Sequence, residues 1–238
     1  MQYRVFALAD LHLPGADDKT MDIFGPLWEN HPEVIRRHWI NTVAPQDFVL
    51  CAGDISWAMN LAEVAGDLDW LGQLPGRIIL SKGNHDYWWQ SISQLRTALP
   101  PNVQAIQNDF VPLPGDLAVC GTRGWILPQS QDFSPETDEK IYQRELNRLQ
   151  LSLDSAVRAR RKIAFVMLHY PPFAGDGSPS GFTELLEAYR VPVCVYGHLH
   201  GHSIHSAVTG TVNGVTYHLT SADALRFTPK LVGSFSGT

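Results

Sequence analysis

Five short polar segments contain the side chains that could carry out chemistry in this sequence. Each follows an apolar run, and in order they are Asp10-Leu11-His12, Gly53-Asp54, Gly83-Asn84-His85-Asp86, His169 and Gly197-His198-Leu199-His200. In an extended backbone, residues i and i+2 point the same way, so the first and last segments can each direct two side chains at one point. Carboxylate, imidazole and amide-oxygen ligands without thiolate suit zinc, manganese, iron or similar ions.

Each of these segments, taken alone, also has a plain structural explanation. A single Asp-x-His pair carries little information, Gly-Asn-His-Asp is compatible with an ordinary turn, and an aspartate at a strand end often caps the following helix. Their joint occurrence, in this order and each at a strand end, is what indicates a metal site, because open α/β sheets collect ligands at the carboxyl ends of their strands.

The apolar runs before these segments are rich in β-branched residues and predict strands. They cover residues 3–9, 47–52, 77–80, 117–121, 163–168, 191–196 and 215–220. Their nearly continuous apolar character is typical of strands covered on both faces. Apolar residues at helical spacing lie between them, as in the stretch 61–71. Ser134-Pro135-Glu136 predicts the start of a helix over 135–161, with Ser134 as its N-cap.

Strands that alternate with helices indicate an α/β fold. The stretches 102–121 and 203–220 are instead typical of successive strands. A mixed core with two sheets is therefore better supported than one parallel sheet. The sequence has no internal repeat or linker, so we expect one domain over residues 1–238.

The composition is that of an ordinary globular protein. The 238 residues are 44% hydrophobic and 18% charged, which excludes intrinsic disorder, and the net charge of −6 argues against a dedicated nucleic-acid binder. Three cysteines lie in apolar runs, so buried free thiols in a reducing compartment are expected. No leader or membrane-spanning run is apparent, and we expect a cytoplasmic protein with no membrane partner.

The five segments, in their order, resemble the motif series of the calcineurin-like metallophosphoesterase superfamily: D-x-H, G-D, G-N-H-[DE], H and G-H-x-H. The resemblance spans residues 10–200. It implies a four-layer α/β/β/α sandwich with two mixed β-sheets flanked by helices. It also implies two divalent or trivalent transition-metal ions, manganese, iron or zinc, at the strand ends.

The resemblance assigns a role to each residue of the five segments. The metal ligands divide into a set for one ion (Asp10, His12 and His200), a set for the other (Asn84, His169 and His198) and a shared bridge (Asp54). His85 would be the general acid or transition-state stabiliser, and Asp86 would orient it. Two ions about 3.5–4 Å apart polarise phosphoryl oxygens and lower the pKa of a bridging water, which gives hydroxide as the nucleophile.

The implied reaction is hydrolysis of a phosphodiester or phosphomonoester in a small substrate, with nucleotides among the candidates. Trp57 stands where purple acid phosphatases of the superfamily have a tyrosine ligand. Protein Ser/Thr phosphatases of the superfamily have glutamate where this chain has Asp86, and an arginine after the G-D motif that is missing here. The pattern is thus nearer to the bacterial phosphohydrolase and cyclic-nucleotide phosphodiesterase branches.

Three further residues are candidates for substrate binding. Arg123 follows a predicted strand and could make a bidentate phosphate contact, although a surface ion pair explains it equally well. Trp57 and Tyr87 flank the second and third segments and could stack on a leaving group, whereas core packing of the aromatic residues there is the alternative. The loops 13–31, 122–134 and 171–181 could shape specificity.

Two other functions remain open at this stage. A nuclease on the same fold would use the same ligands, although the acidic net charge and the lack of an evident DNA-binding extension argue against nucleic acid as a partner. A non-enzymatic scaffold protein would be expected to have lost some ligand positions, and here all are present. The sequence does not indicate the oligomeric state.

Overall fold

The computed structural model describes residues 2–15 and 21–236, and its strands form two sheets. The first sheet contains, in spatial order, β11 (Lys230–Ser236), β1 (Gln2–Ala7), β2 (Phe48–Ala52), β3 (Arg77–Ser81) and β4 (Val103–Ala105). Strands β1 to β4 are parallel, and β11 pairs with β1 in the antiparallel sense. The carboxyl ends of four strands therefore lie at one edge of this sheet.

The second sheet is also mixed. It contains, in spatial order, β5 (Phe110–Leu113), β6 (Leu117–Thr122), β7 (Lys162–Leu168), β8 (Val193–Tyr196), β10 (Val215–Leu219) and β9 (Gly210–Val212). Strands β6, β7, β8 and β10 are parallel, and the two outer strands pair in the antiparallel sense. The successive strands expected over 102–121 are confirmed as β4, β5 and β6.

The two sheets pack face to face through side chains from alternate strand positions. Val5 and Leu50 of the first sheet share one buried cluster with Val119, Phe165 and Met167 of the second. The residues between them in sequence point outward, because successive side chains of a strand alternate between faces. Both faces of each central strand are thus buried, which explains the continuous apolar runs.

Helices cover the outer face of each sheet. Three pack on the first sheet, namely α1 (His31–Thr42), α2 (Ala65–Gly72) and α3 (Ile92–Ala98), and two pack on the second, namely α4 (Pro135–Arg158) and α5 (Gly181–Ala188). In α4, for example, Leu149 and Leu153 lie in one cluster with Cys120 and Val166 of the sheet. The order of layers is helix, sheet, sheet, helix, and the expected four-layer α/β/β/α sandwich is confirmed.

The long helix α4 begins at Pro135, as predicted, but differs from the prediction in its end and in its cap. It ends at Arg158 rather than at residue 161, because Arg160 adopts a left-handed φ of 56°. The Ser134 side chain does not cap the helix. Instead, the Asp138 carboxylate accepts a hydrogen bond from the Ser134 backbone N–H at 2.8 Å. Asp138 thus satisfies the backbone N–H of the N-cap residue, whereas a capping serine side chain would have accepted an N–H of the first helical turn.

Some elements depart from the sequence prediction. Residues 201–206 form a 3₁₀ helix, so strand structure in the expected stretch 203–220 begins only at Gly210. The helical spacing over 61–71 continues as a regular helix only from Ala65. Helices α3 and α5 and the edge strand β11 were not predicted at all.

Two expectations on composition can also be compared with the fold. All three cysteines are free and buried, as predicted. Within residues 2–15 and 21–236, none of the helices has the length and apolar character that crossing a membrane requires.

Candidate metal centre

The loops after five strands meet at one edge of the sandwich. The loops after β1 and β2 run side by side, since the N–H of Asp10 donates to the Gly53 carbonyl at 2.9 Å and the N–H of His12 donates to the Asp54 carbonyl at 3.0 Å. The N–H of Gly197, after β8, donates to the carbonyl of His169, after β7, at 3.2 Å. Backbone hydrogen bonds therefore fix these loops relative to one another before any side chain contributes.

Four of the expected metal ligands have a strained backbone. Asp10, His12, Asp54 and His198 adopt left-handed φ values of 58°, 45°, 53° and 74°. Such values cost roughly 1–3 kcal/mol for residues with a Cβ and concentrate at functional sites. The sharp turns direct these side chains back over the strand ends, where they converge.

Three glycines of the motifs leave space that the ligand side chains occupy. A Cβ at Gly53, which has a φ of 92°, would lie 2.7 Å from Nδ1 of His169. Added methyl groups at Gly83 and Gly197 would collide with the carboxylates of Asp54 and Asp10, respectively. The glycines are thus required by close approach of ligand side chains to the backbone.

The first expected ligand set is assembled in the structure. Ligand atoms of Asp10, His12 and His200 all lie within 4.8 Å of one another. Nε2 of His200 is 3.4 Å from Oδ1 of Asp10, and Nε2 of His12 is 3.9 Å from Oδ2 of Asp54. These separations suit a group of ligands around a cation.

The second set surrounds the amide oxygen of Asn84. Oδ1 of Asn84 is 2.7 Å from Nε2 of His169 and 3.0 Å from Nδ1 of His198. Nε2 of His169 is also 3.4 Å from Oδ2 of Asp54, and Asp10, Asp54 and His169 form a second group of ligand atoms within 4.8 Å. Oδ2 of Asp54 therefore lies near a histidine of each expected set, His12 at 3.9 Å and His169 at 3.4 Å.

Buried nitrogens without partners support a cation at this site. Nδ1 of His12 and Nε2 of His200 are buried and have no hydrogen-bond partner in the described part of the chain. Buried polar atoms are nearly always hydrogen-bonded, so such atoms beside two buried carboxylates need another explanation. Imidazole nitrogens and carboxylate oxygens are suitable ligands for zinc, manganese or iron, and the residues present fit two such ions.

Electrostatics in the metal-free cluster lead to the same conclusion. Burial, together with the charge of Asp10, raises the pKa of Asp54 to about 8. Burial works against a charged His200 ring, but the carboxylates of Asp10 and Asp223 still raise its pKa to about 10. Burial and the neighbouring His169 lower the pKa of His198 to about 3. Without metal the cluster therefore favours the protonated forms of Asp54 and His200, and a bound cation would compete with those protons.

Two residues that the sequence analysis missed support the ligands from behind. Oδ1 of Asp223 is 2.9 Å from Nδ1 of His200, and its Oδ2 accepts the N–H of Gly201 at 3.0 Å. This carboxylate fixes which nitrogen of His200 faces the site. Asp223 follows β10, so its place after another strand was a usable signal.

His31 is the second missed residue, and it supports backbone rather than a ring. Its Nδ1 is 3.1 Å from the carbonyl oxygen of Trp28, and its Nε2 is 3.1 Å from those of Leu11 and His12. The imidazole, which is 3% exposed, therefore holds the strained Asp-x-His turn. No sequence pattern around residue 31 indicated this contact.

His85 and Asp86 occupy different environments. The His85 backbone N–H donates to Oδ1 of Asp54 at 2.8 Å, and the half-buried His85 ring lies 4.5 Å from the Trp57 ring, centroid to centroid. Asp86 is fully buried and accepts the backbone N–H groups of Asp54, Ile55 and Gly83 at 2.7–2.9 Å. Among the described residues, no hydrogen bond joins Asp86 to the His85 ring. Its contacts tie the second loop to the third.

The candidate substrate residues are placed at different distances from the cluster. The Trp57 ring stacks on His12, with centroids 4.8 Å apart, and Tyr87 is 53% exposed with its ring 6.5 Å from that of His85. The neighbouring Trp88 and Trp89 are core residues. The Arg123 side chain instead lies over the Trp125 ring and beside Glu145, on the flank of the centre.

A cavity of about 570 Å³ opens beside the second ligand set. Its apolar wall contains Trp125, Leu127, Tyr170 and Phe173, and it reaches His198. The Tyr170 ring lies 4.2 Å from that of His198, centroid to centroid. This space, the aromatic cavity, is lined mainly by residues of the loops 122–134 and 171–181. Residues 16–20 of the third expected loop lie outside the described residues.

Comparisons with known proteins are consistent with this geometry. The sequence model described as calcineurin-like phosphoesterase matches residues 3–202. No curated protein matches the chain. A phosphopantetheinyl hydrolase from Mycobacterium tuberculosis has a similar structure, with a TM-score of 0.54 and 15% identity over 97% of this chain and 96% of that one. A protein from Thermus thermophilus gives a TM-score of 0.52 and 14% identity over 83% and 82%. At such identities, the likeness concerns the fold alone.

Proposed function

Because the chain belongs to the calcineurin-like phosphoesterase family, a family of metal-dependent phosphoester hydrolases, we propose that it uses two metal ions to hydrolyse a small phosphoester. Asp10, His12 and His200 would hold one ion. Asn84, His169 and His198 would hold the other, and Asp54 would be shared. Manganese, iron and zinc all suit this ligand set, and availability would decide among them.

The convergence of ligand side chains on Asp54 is the observation that carries this proposal. The bridge is approached by His12 on one side and by His169 on the other, at 3.9 and 3.4 Å. Both distances are to Oδ2 of Asp54, so histidines that follow strands of the two sheets approach one carboxylate oxygen, which could be shared by two ions. A structural ion pair would not require two carboxylates and several histidines to be buried together.

His85 would act on the substrate rather than on metal. When bound, the two ions would polarise the phosphoryl oxygens and supply an activated water. His85 would then protonate or stabilise the leaving oxygen. Burial and the neighbouring His169 lower its pKa in the metal-free protein, and a bound phosphoryl dianion would act in the opposite direction. Asp86 would contribute by positioning the Asp54 loop.

The aromatic cavity would take the alcohol part of the substrate. Its volume of about 570 Å³ is within the range of small-molecule sites, and it borders the ligand His198. The Trp125 and Tyr170 rings, with centroids 5.3 Å apart, offer a surface for a planar or apolar group. Nucleoside and other bulky phosphoesters fit this description, whereas the candidates Trp57 and Tyr87 lie on the His12 and His85 side.

The test is turnover by metal-reconstituted protein. Wild-type protein loaded with Mn²⁺ or Zn²⁺ is expected to hydrolyse members of a panel containing p-nitrophenyl phosphate, bis-p-nitrophenyl phosphate, mono- and cyclic nucleotides and a phosphopantetheine ester. Asp54→Ala should lose both turnover and metal, and Asp69→Ala, an exposed aspartate of α2, should lose neither. Full activity in Asp54→Ala, or no hydrolysis of any panel member by the loaded wild type, would overturn the proposal.

A further inference from the structure

A second cavity lies one strand further along the same edge. It has a volume of about 240 Å³ and is formed where the ends of β3, β4 and β6 meet. Four of its lining side chains are cations and one is a carboxylate: Lys82, Arg123, Arg144, Arg148 and Glu145. This space, the arginine cavity, has an excess of positive charge in a protein whose net charge is −6.

Glu145 accounts for only part of the hydrogen-bonding capacity of these cations. The fully buried carboxylate accepts the Thr122 hydroxyl at 2.7 Å and Nη1 of Arg148 at 2.8 Å. Nε of Arg144 is 3.4 Å away, and Nη2 of Arg123 is 3.7 Å away. Each guanidinium has five N–H donors, so most donors of the three arginines are left for another acceptor.

Arg123 itself has a buried donor without a partner. Its Nε has no hydrogen-bond partner in the described part of the chain, although the side chain is only 16% exposed. The guanidinium carbon lies 4.3 Å from the centre of the Trp125 ring, which holds the side chain in place. A planar, fixed guanidinium with a free donor is well suited to an oxyanion.

The arginine cavity is next to the metal centre in the chain and in space. Lys82 directly precedes Gly83-Asn84, and the carbonyl of Arg123 accepts the N–H of His169 at 2.9 Å. The arginine cavity lies one or two strands away from the metal centre, and neighbouring strands are about 4.8 Å apart. This is the distance that would separate an anion in the cavity from a phosphoryl group at the metals. A single small molecule can span that distance.

We propose that the arginine cavity binds a second phosphoryl group of the substrate, so that the substrate class is a phosphoester with two phosphoryl groups. This inference rests on the proposed function, in which the other phosphoryl group is hydrolysed at the metal ions. The arginine cavity would bind the group that is retained, through charge-assisted hydrogen bonds from Arg123, Arg144 and Arg148. The alternative source of the same anion is free inorganic phosphate.

The first experiment measures anion binding without catalysis. Metal-free protein is titrated with pyrophosphate, and separately with inorganic phosphate, in a calorimeter at low ionic strength. Wild type should bind pyrophosphate, and Arg144→Gln should bind it about tenfold more weakly, as expected for the loss of one charge-assisted hydrogen bond. Arg144→Lys should recover part of the loss, and Arg158→Gln, an exposed arginine of the same helix, should match wild type.

Arg144 is the variant of choice because it is half-exposed, with a side chain 51% accessible, so its replacement leaves the core intact. Unchanged thermal unfolding of Arg144→Gln confirms this. No binding by wild type, or equal binding by Arg144→Gln and Arg158→Gln, would overturn the anion site and leave the cluster as a structural network around Glu145. Because no metal is present, this result is independent of the phosphoesterase activity.

The second experiment separates the two sources of the anion. With Mn²⁺-loaded protein, adenosine 3′,5′-bisphosphate should have a KM about tenfold lower than adenosine 5′-monophosphate, and Arg144→Gln should abolish the difference by raising the KM of the bisphosphate. If inorganic phosphate binds but the bisphosphate gains nothing over the monophosphate, the substrate assignment is overturned. Failure to hydrolyse either compound would count against the proposed function, whereas the calorimetric result would still decide the anion site.

Discussion

The two buried carboxylates of the centre, Asp10 and Asp54, have opposite electrostatic environments. Although burial works against ionisation, the surrounding histidines hold the pKa of Asp10 well below its usual range, whereas burial and the charge of Asp10 raise that of Asp54. Such a separation is expected when two like charges compete for one site. A cation between the two carboxylates would offset their mutual repulsion. Side chains that repel one another without metal would therefore make a good ligand set when an ion is bound.

At the residue scale, His85→Ala tests the division between ligands and substrate-directed groups. Neither ring nitrogen of His85 makes a described contact with the carboxylate of Asp10 or Asp54. The variant should therefore retain its metal content. Its kcat should fall about 10²–10⁴-fold, the usual contribution of a general acid. The measurement pairs steady-state kinetics with elemental analysis, and His205→Ala, in the exposed 201–206 turn, is the control. Metal lost together with activity would reassign His85 as a ligand.

Asp223→Asn tests support of a ligand from behind. The amide keeps the shape of the side chain but presents a neutral partner to Nδ1 of His200, so the ring loses its charged acceptor. Loss of such an outer partner typically costs about 10–100-fold in metal affinity. Competition against a chromophoric chelator measures the change, with Asp69→Asn as the exposed control. An affinity equal to wild type would show that Asp223 does not position His200.

At the scale of the elements, the loops rather than the strands decide ligand geometry, and their glycines provide a test. A methyl group at Gly197 would collide with the Asp10 carboxylate, whereas a methyl group at Gly66, inside α2, meets nothing within 4 Å. Gly197→Ala should therefore lower metal affinity and activity although every expected ligand residue is unchanged. Gly66→Ala should retain both and gain about 0.5–1 kcal/mol in the free energy of unfolding. Chelator competition and chemical denaturation measure the two effects, and a fully active Gly197→Ala would contradict the packing described.

A strand or helix could be predicted from the sequence when residues close together in the chain determine its conformation. Strands covered on both faces, such as β2 and β7, were recognisable because nearly every residue in them is apolar. The edge strand β11 alternates between partly buried and exposed residues and owes its conformation to pairing with β1. Helix α5 begins at Gly181, a poor helix former, and is stabilised by the reciprocal hydrogen bonds of Ser180 and Thr183.

The candidate site was more predictable than its supports for a related reason. The ligand types and their spacing are local features, whereas the partners of Asp223 and His31 depend on chain segments brought together by folding. The same applies to Asp86, whose role at the loop backbones follows from its contacts with residues about thirty positions away.

At the scale of the whole molecule, the candidate metal centre draws its side chains from loops of both sheets. Asp10, Asp54 and Asn84 follow strands of the first sheet, and His169 and His198 follow strands of the second. Each ion bound here would stabilise the sandwich by about 2.7 kcal/mol at a concentration of 100 times Kd. In a protein of this size, chelation should then lower Tm by about 5–10 °C for each ion removed, measurable by calorimetry with and without EDTA. Adding Mn²⁺ back should restore the Tm. A Tm that changes neither with EDTA nor with Mn²⁺ would contradict the claim that bound ions hold the two sheets together.

The central claim is that two ions share Asp54, and anomalous scattering from crystals of the Mn²⁺-loaded protein tests it most directly. The account predicts two peaks, one among Asp10, His12 and His200 and the other among Asn84, His169 and His198, with a carboxylate oxygen of Asp54 bound to each. A single peak, peaks that Asp54 does not contact, or manganese bound elsewhere in the molecule would contradict the account.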